Sequence, residues 1–104
     1  MQVEINPSEY TVLIVDDTIA NVLLLKVLIG NQKYRIVTAG NGMEALQAVE
    51  KESPDLILLD IMMPGMNGYE VAEKLKADPQ TQEIPIIFLT ALNSTNDIVK
   101  GFKT

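Results

Sequence analysis

The chain contains no cysteine and no histidine among its 104 residues. The absence of cysteine excludes a disulfide framework and a thiolate nucleophile. Zinc is also disfavoured, because structural and catalytic zinc sites are built mainly from cysteine sulfur and histidine nitrogen. These absences leave carboxylates as the strongest candidates for metal ligands.

The charge balance and the hydrophobic runs exclude two classes of partner. Eight Lys and Arg against 14 Asp and Glu give a formal net charge of −6. Affinity for nucleic acids depends on basic side chains that neutralise phosphates, so no direct nucleic-acid partner is expected. No signal-peptide pattern opens the chain, and its longest apolar stretch, residues 21–30, is interrupted by Lys26 and too short to cross a bilayer. We therefore expect a soluble, cytoplasmic protein without a membrane partner.

Four short apolar segments alternate with helical patterns along a chain of single-domain length. Strands are predicted over residues 11–15, 34–39, 56–59 and 84–90, and the mixed pattern of 34–39 favours an edge position. Helices are predicted over 19–29 and 42–52, after Asn67, and from residue 97. This alternation predicts an α/β fold, a flavodoxin-like doubly wound parallel sheet with strand order 2-1-3-4.

Two Asn-x-x-Glu sequences predict the starts of helices. Asn41 with Glu44, and Asn67 with Glu70, match the capping box in which an N-cap side chain and the side chain three residues later satisfy helix N–H groups. The residues predicted to face the core from these two helices are Met43, Leu46, Val49, Val71, Ala72 and Leu75.

The predicted helix over residues 19–29 is apolar on nearly every side. If Ala20, Leu24 and Leu28 face the core, the outward face consists of Ile19, Val22, Leu23 and Val27. One interpretation is that a partner covers this outward face. The other is a different register, in which Asn21 and Lys26 mark a narrower exposed strip.

Polar side chains end three of the four predicted strands. The first strand is followed by Asp16 and Asp17, the third by Asp60, and the fourth ends in Thr90. The carboxyl ends of parallel strands meet at one edge, where ligands of open α/β sheets bind. Because strands one and three are neighbours in the predicted order, the three carboxylates are expected within a few ångströms of one another. Mg²⁺ together with a phosphoryl group suits such a cluster, and Asp60 could then act as a nucleophile that forms an acyl phosphate.

Each of these side chains also has an ordinary structural interpretation. Asp17 could cap the helix that begins near Thr18. Asp60 could be a turn residue before the Pro- and Gly-containing loop, and Thr90 is a common strand residue. The joint placement at one edge of one sheet is what favours a functional interpretation.

Three segments, VLIVDDT, DLILLDIMMPGMNGYE and IPIIFLTAL, resemble the receiver domain of two-component response regulators. The resemblance implies a lead-in over residues 1–10 and a receiver domain over 11–104. It also implies a signalling switch within a phosphorelay, in which Asp60 accepts a phosphoryl group from a sensor histidine kinase or a histidine phosphotransfer protein. Such a domain is regulatory rather than enzymatic, with at most Mg²⁺-dependent self-phosphorylation and self-dephosphorylation.

The resemblance further assigns a role to each matching site residue. Thr90 matches the switch hydroxyl that bonds the phosphoryl oxygen, and Pro64 and Gly68 match the loop beside the acceptor. Mg²⁺, with Mn²⁺ as an alternative, would be held by Asp16, Asp17, Asp60 and the backbone carbonyl of Met62.

The sequence departs from the family pattern at its carboxyl end. The family places a Lys followed by Pro at the end of a fifth strand, whereas this sequence stops at Thr104. We expect the fifth strand and fifth helix to be missing, and neither Lys100 nor Lys103 can replace that Lys. An exposed fourth strand then predicts self-association through its edge, or marginal stability of the domain.

Two enzyme or carrier classes fit less well, and one alternative remains open. A phosphatase of the haloacid dehalogenase type has a D-x-D pattern after its first strand, whereas Asp16 and Asp17 are adjacent. An FMN carrier needs a phosphate-binding loop at the position where these acids would repel the phosphate. The open alternative is a receiver-like interaction module that is not phosphorylated in this form.

Overall fold

The computed structural model describes residues 10–30 and 34–89 of the chain, which form one parallel sheet and three helices. The elements are β1 (Thr11–Val15), α1 (Ile19–Gly30), β2 (Arg35–Ala39), α2 (Gly42–Glu52), β3 (Leu56–Asp60), α3 (Gly68–Ala77) and β4 (Ile86–Leu89). The strand order is β2-β1-β3-β4, and every pairing is parallel. The predicted flavodoxin-like fold is therefore confirmed.

The strand predictions agree closely with the structure. β1 has the predicted bounds, and β2 lies at the predicted edge of the sheet. β3 is one residue longer than predicted, so Asp60 belongs to the strand itself. β4 is shorter than the prediction for residues 84–90, and Thr90 and the helix predicted from residue 97 lie outside the described residues.

The core consists of two apolar layers, one on each face of the sheet. The side chains of β1 and most of β3 are fully buried, as expected for central strands of a covered parallel sheet. α2 and α3 cover one face through Ala45, Val49, Val71 and Leu75. α1 covers the other face, where it packs near Val12, Ile14 and Leu58.

Of the two interpretations of α1, the orientation with Ala20, Leu24 and Leu28 in the core is wrong. The helix has a different register, as the second interpretation supposed, but its exposed face is broad and Asn21 is half-buried. Val22, Leu25 and Ile29 pack against the sheet, whereas Leu24 and Leu28 are 48% and 62% exposed. Ten of the 12 residues in Ile19–Gly30 have neither a charged nor an amide side chain. The faces of the helix therefore differ little in polarity, and the sequence pattern does not show which face is buried. The packing surface offered by the sheet decides the orientation instead.

Met43 is a second correction. It was expected to face the core, but its side chain is 61% exposed, and the small side chain of Ala45 occupies the buried face with Val49. Both N-caps are confirmed, and Asn67 with Glu70 forms a complete capping box. Asn41 accepts a hydrogen bond from the N–H of Glu44, but the side chain of Glu44 accepts from the N–H of Gly40, so the box at α2 is not the predicted reciprocal one. Within the described residues, no helix has the length and hydropathy needed to cross a bilayer.

Candidate phosphoacceptor and metal site

The strand pairing brings two acidic residues to the same edge of the sheet. β1 pairs with β3 in a register that sets Val15 opposite Leu59. Asp16 follows Val15 and Asp60 follows Leu59, so the two acids occupy equivalent positions on neighbouring strands. The predicted convergence at the carboxyl edge therefore follows from strand order and register.

Asp16, Asp17 and Asp60 form one cluster at this edge. One carboxylate oxygen from each residue lies within 4.8 Å of the other two. Asp16 and Asp60 are only 5% and 6% exposed, whereas Asp17 is exposed to solvent. The cluster therefore has two buried members and one member that faces the solvent.

The two buried carboxylates are oriented by the same kind of hydrogen bond, from the backbone N–H two residues later. Oδ1 of Asp16 accepts a hydrogen bond of 2.8 Å from the N–H of Thr18. Oδ1 of Asp60 accepts one of 3.1 Å from the N–H of Met62. This i to i+2 hydrogen bond is the Asx-turn geometry, which Asp adopts readily at the ends of strands. Sequence reasoning did not identify the two turns, although a strand-terminal Asp is the signal for them.

The loop after β3 approaches Asp60 closely. The N–H of Gly68 donates to the carbonyl oxygen of Ile61 at 3.0 Å, which closes the loop between β3 and α3. Gly65 has a φ of +79°, a conformation that favours glycine. The first turn of α3 is thus anchored against the strand end that carries Asp60.

Burial raises the pKa of Asp60 from its usual 3.8 to about 6. The second cause is the negative charge of Asp16, and Asp17 adds a smaller contribution of the same sign. The N–H of Met62 opposes these effects by stabilising the ionised form. A carboxyl with a raised pKa among acidic neighbours is a group whose ionised form needs a compensating positive charge.

The donor set fits a hard divalent cation. Because the three oxygens lie within 4.8 Å of one another, two full negative charges there repel by at least roughly 3 kcal/mol at an effective dielectric constant of about 20. A cation among the three carboxylates would replace this repulsion by attraction, and Mg²⁺ prefers oxygen ligands. Met62 contributes its N–H to the site, while its side chain is 72% exposed. Thr90 lies outside the described residues.

Comparisons with known proteins agree with this geometry. Residues 12–104 match the family model described as the response regulator receiver domain. Response regulator PleD of Caulobacter vibrioides is 44% identical over 93 residues, which is 89% of this chain and 20% of that protein. A probable cyclic di-GMP phosphodiesterase of Vibrio cholerae is 43% identical over 96 residues, which is 92% of this chain and 22% of that protein.

A solved structure is similar over most of the chain. The N-terminal domain of a response regulator receiver protein from Methanoculleus marisnigri aligns with a TM-score of 0.75 and 37% identity, covering 88% of this chain and 75% of that one. The chain belongs to the response regulator receiver domain family. It spans about a fifth of the length of the two curated relatives above.

Proposed function

We propose that this domain, over residues 11–104, is a phosphorylation-dependent switch in which Asp60 accepts a phosphoryl group. The observation that carries the proposal is the cluster of three carboxylates within 4.8 Å, with Asp60 buried at the end of β3. Membership of the receiver family supports the same role. The domain would be regulatory, with self-phosphorylation and self-dephosphorylation as its only reactions, and it would act in the cytoplasm.

In the proposed transfer, an oxygen of ionised Asp60 attacks the phosphorus of a phosphohistidine. The new O–P bond forms as the N–P bond breaks, and the bonding electron pair leaves with the imidazole nitrogen, which is then protonated. With a pKa of about 6, Asp60 is mostly ionised at neutral pH. The N–H of Met62 binds Oδ1 of Asp60. The other carboxylate oxygen, Oδ2, does not accept this hydrogen bond and would be the attacking atom.

Asp16, Asp17, Asp60 and the carbonyl of Met62 would hold Mg²⁺, with Mn²⁺ as an alternative. Bound there, the ion would supply positive charge to the transferring phosphoryl oxygens. Asp16 and Asp60 are already oriented by their Asx turns, so binding would require little rearrangement of these two side chains. Thr90 would provide the hydroxyl that responds to the phosphoryl group.

The donor would be a sensor histidine kinase or a histidine phosphotransfer protein that docks on α1. Five large apolar side chains are exposed on the outward side of α1: Ile19, Leu23, Leu24, Val27 and Leu28. We call this surface the α1 apolar patch. A cavity of about 280 Å³ connects Asp16 and Asp17 with Ile19 and Leu23 of this patch. A donor covering the patch would therefore lie beside the acceptor cluster, where apolar contact can position its phosphohistidine.

A second copy of the chain is a further proposed partner, through the edge of β4. Within the described residues β4 pairs only with β3, and Ile87 is 51% exposed on it. Unpaired apolar strand edges recruit other strands. Light scattering should detect a dimer of the unchanged chain. Ile87→Lys should weaken this dimer, and the surface control Met43→Lys should not. A monomeric mass for the unchanged chain would contradict self-association.

The decisive test of the switch is incubation with acetyl phosphate and Mg²⁺, followed by intact-mass measurement. The expected result is the addition of one phosphoryl group to the unchanged chain and none to Asp60→Asn. Asp78→Asn, which removes a carboxylate at the C-cap of α3, serves as the matched control and should be phosphorylated normally.

Two outcomes would count against the proposal. Equal phosphorylation of Asp60→Asn would place the acceptor elsewhere. No phosphorylation of the unchanged chain, by acetyl phosphate or by a panel of phosphorylated donors, would favour the alternative of an interaction module that works without phosphate.

A further inference from the structure

Two Asn-Gly dipeptides occur in the chain, and each lies at the start of a helix. Asn41–Gly42 begins α2, and Asn67–Gly68 begins α3. Asparagine is chemically labile, and a following glycine has no side chain to obstruct attack by its own backbone nitrogen on the asparagine side chain. Both dipeptides are therefore candidate sites of spontaneous deamidation.

Deamidation needs only groups of the chain and water. The N–H of the glycine gives its proton to water or hydroxide, and its nitrogen forms a bond to Cγ of the asparagine. The bond between Cγ and the side-chain nitrogen then breaks, and that nitrogen takes up a proton and leaves as ammonia. Water opens the resulting succinimide ring at either carbonyl carbon, which gives aspartate or isoaspartate.

Both asparagines are held in a geometry that the reaction must first disturb. The backbone ψ is 175° at Asn41 and 171° at Asn67, and each Oδ1 accepts a hydrogen bond of 2.9 Å from the N–H three residues later. In this extended backbone the next nitrogen is turned away from Cγ, so the peptide bond after the asparagine must rotate before the ring can close. The contacts that resist this rotation therefore control the rate.

Three contacts resist the rotation at Asn67–Gly68. The N–H of Gly68 donates to the carbonyl oxygen of Ile61 at 3.0 Å, so the attacking nitrogen is already engaged. The side chain of Glu70 accepts from the N–H of Asn67 at 3.1 Å and completes the capping box. Gly68 also lies so close to the backbone of Asp60 and Ile61 that no Cβ would fit there.

Asn41–Gly42 has weaker restraints at each of these three points. Within residues 10–30 and 34–89, the N–H of Gly42 has no hydrogen-bond partner, as is usual in the first turn of a helix. The side chain of Glu44 accepts from the N–H of Gly40 and not from that of Asn41, so this cap is not closed. The atoms nearest to a Cβ at Gly42 belong to the flexible side chain of Met66 and not to backbone.

From this contrast we infer that Asn41 is the site at which the folded domain deamidates, whereas the capping box and the hydrogen bond of Gly68 protect Asn67. Solvent access favours the same site, because Asn41 is exposed to the water that the reaction consumes and Asn67 is half-buried. The inference does not depend on phosphorylation of Asp60, since deamidation uses neither the acidic cluster nor its ion.

The modified residue would lie close to the acidic cluster. The carbonyl oxygen of Ala39 accepts a hydrogen bond of 3.1 Å from the N–H of Asp16, and Gly40 lines the same cavity as Asp16 and Asp17. Asn41 follows directly. An aspartate there keeps an oxygen that can cap α2 and adds a negative charge, whereas an isoaspartate also lengthens the backbone by one carbon.

Peptide mapping of the intact chain tests the inference. Trypsin cleavage after Arg35, Lys51 and Lys74 gives peptides 36–51 and 52–74, which contain one asparagine each. The folded chain is incubated at mildly alkaline pH, and liquid chromatography with mass spectrometry follows the conversion of each amide to a carboxylate. Asn41 is expected to react about fivefold faster than Asn67 or more, the ratio that two net hydrogen bonds produce. In guanidinium chloride the two rates should be similar.

Three variants test the origin of the protection. Glu70→Ala opens the capping box and should speed the reaction of Asn67 about twofold to tenfold, the effect of one net hydrogen bond, without changing the rate at Asn41. The matched control is Glu73→Ala, which removes an exposed carboxylate from the same helix outside the cap and should change neither rate. Asn41→Ser keeps a capping oxygen and should abolish the conversion in peptide 36–51. Circular dichroism confirms that the compared chains are folded.

Equal rates at the two sites of the folded chain, or a faster reaction at Asn67, would overturn the inference. A folded chain in which Asn41 does not react, while the denatured chain does, would overturn it as well. A preference for Asn41 that persists in guanidinium chloride would assign the difference to neighbouring residues in the sequence and not to the fold. An unchanged rate at Asn67 in Glu70→Ala would show that the capping box gives no protection.

Discussion

A methyl group added to Gly68 would lie 2.3 Å from the carbonyl oxygen of Asp60. The neighbouring backbone atoms of Ile61 and Asp60 lie within 3.0 Å of the same position, so the clash is with backbone and not with a flexible side chain. The glycine thus sets how closely the start of α3 can approach the strand that carries the proposed acceptor. Relief of the clash must move either α3 or Asp60.

We predict that Gly68→Ala destabilises the domain by about 1–3 kcal/mol, the usual cost of overpacking a tight site. Phosphorylation of Asp60 by acetyl phosphate should slow as well, because the acceptor and its Asx turn are displaced. Urea unfolding and intact-mass kinetics measure the two effects. Gly30→Ala is the matched control, since no atom lies within 4 Å of a Cβ there, and wild-type-like behaviour of Gly68→Ala would contradict the packing argument.

The raised pKa of Asp60 predicts a pH dependence of stability in the metal-free domain. Its pKa is about 6 in the fold against 3.8 without burial and acidic neighbours, so the folded state binds the proton more tightly. Stability from this group is therefore present at pH below about 4 and lost as the pH rises through 6. The full loss is at most about 3 kcal/mol for a shift of this size.

Asp60→Asn isolates this contribution, because the amide has the same shape and does not ionise. Measured in chelator by urea unfolding, the variant should gain stability relative to the unchanged chain as the pH rises from 4 to 7. Asp78→Asn removes an exposed carboxylate outside the acidic cluster and is measured in parallel as the control. If the difference in free energy of unfolding between Asp60→Asn and the unchanged chain did not vary with pH, Asp60 would not be desolvated as described.

The convergence of the three carboxylates and most of the fold could be predicted from sequence, because short-range patterns determine the elements and their order. Continuous apolar runs identified β1 and β3, and the Asn-x-x-Glu pairs located the starts of α2 and α3. Strand order then placed Asp16 beside Asp60 without any side-chain information. The convergence of the carboxylates is a consequence of topology, which the alternation of elements already implies.

The orientation of α1 and the exposure of Met43 could not be predicted in the same way. A helix that is apolar nearly all round has no polar face to mark its exterior, so only the shape of the sheet selects Val22, Leu25 and Ile29. On α2, the buried positions are Gly42, Ala45 and Val49, a face that does not include Met43. Both errors concern packing geometry, which periodicity does not encode.

The acidic cluster predicts that Mg²⁺ stabilises the folded domain. A ligand present at ten times its dissociation constant adds about 1.4 kcal/mol, which corresponds to roughly 5–10 °C in Tm for a domain of this size. Differential scanning fluorimetry with MgCl₂, against NaCl at matched ionic strength, measures the shift. Asp17→Asn should reduce the Mg²⁺-dependent shift in Tm, and Asp78→Asn should not. Equal shifts in the unchanged chain and both variants would show that Mg²⁺ does not bind at the acidic cluster.

The α1 apolar patch predicts a difference between protein and small-molecule phosphodonors. Leu23 is 56% exposed and lines the cavity beside Asp16 and Asp17, so Leu23→Gln should slow transfer from a histidine phosphotransfer protein about threefold to tenfold by removing apolar contact. Phosphorylation by acetyl phosphate should be unchanged, because that donor needs no docking surface. Met43→Gln, an equally exposed apolar residue on α2, is the matched control. Parallel losses with both donors would mean that Leu23 acts through the acceptor site, and unchanged transfer from the protein donor would place the docking surface elsewhere.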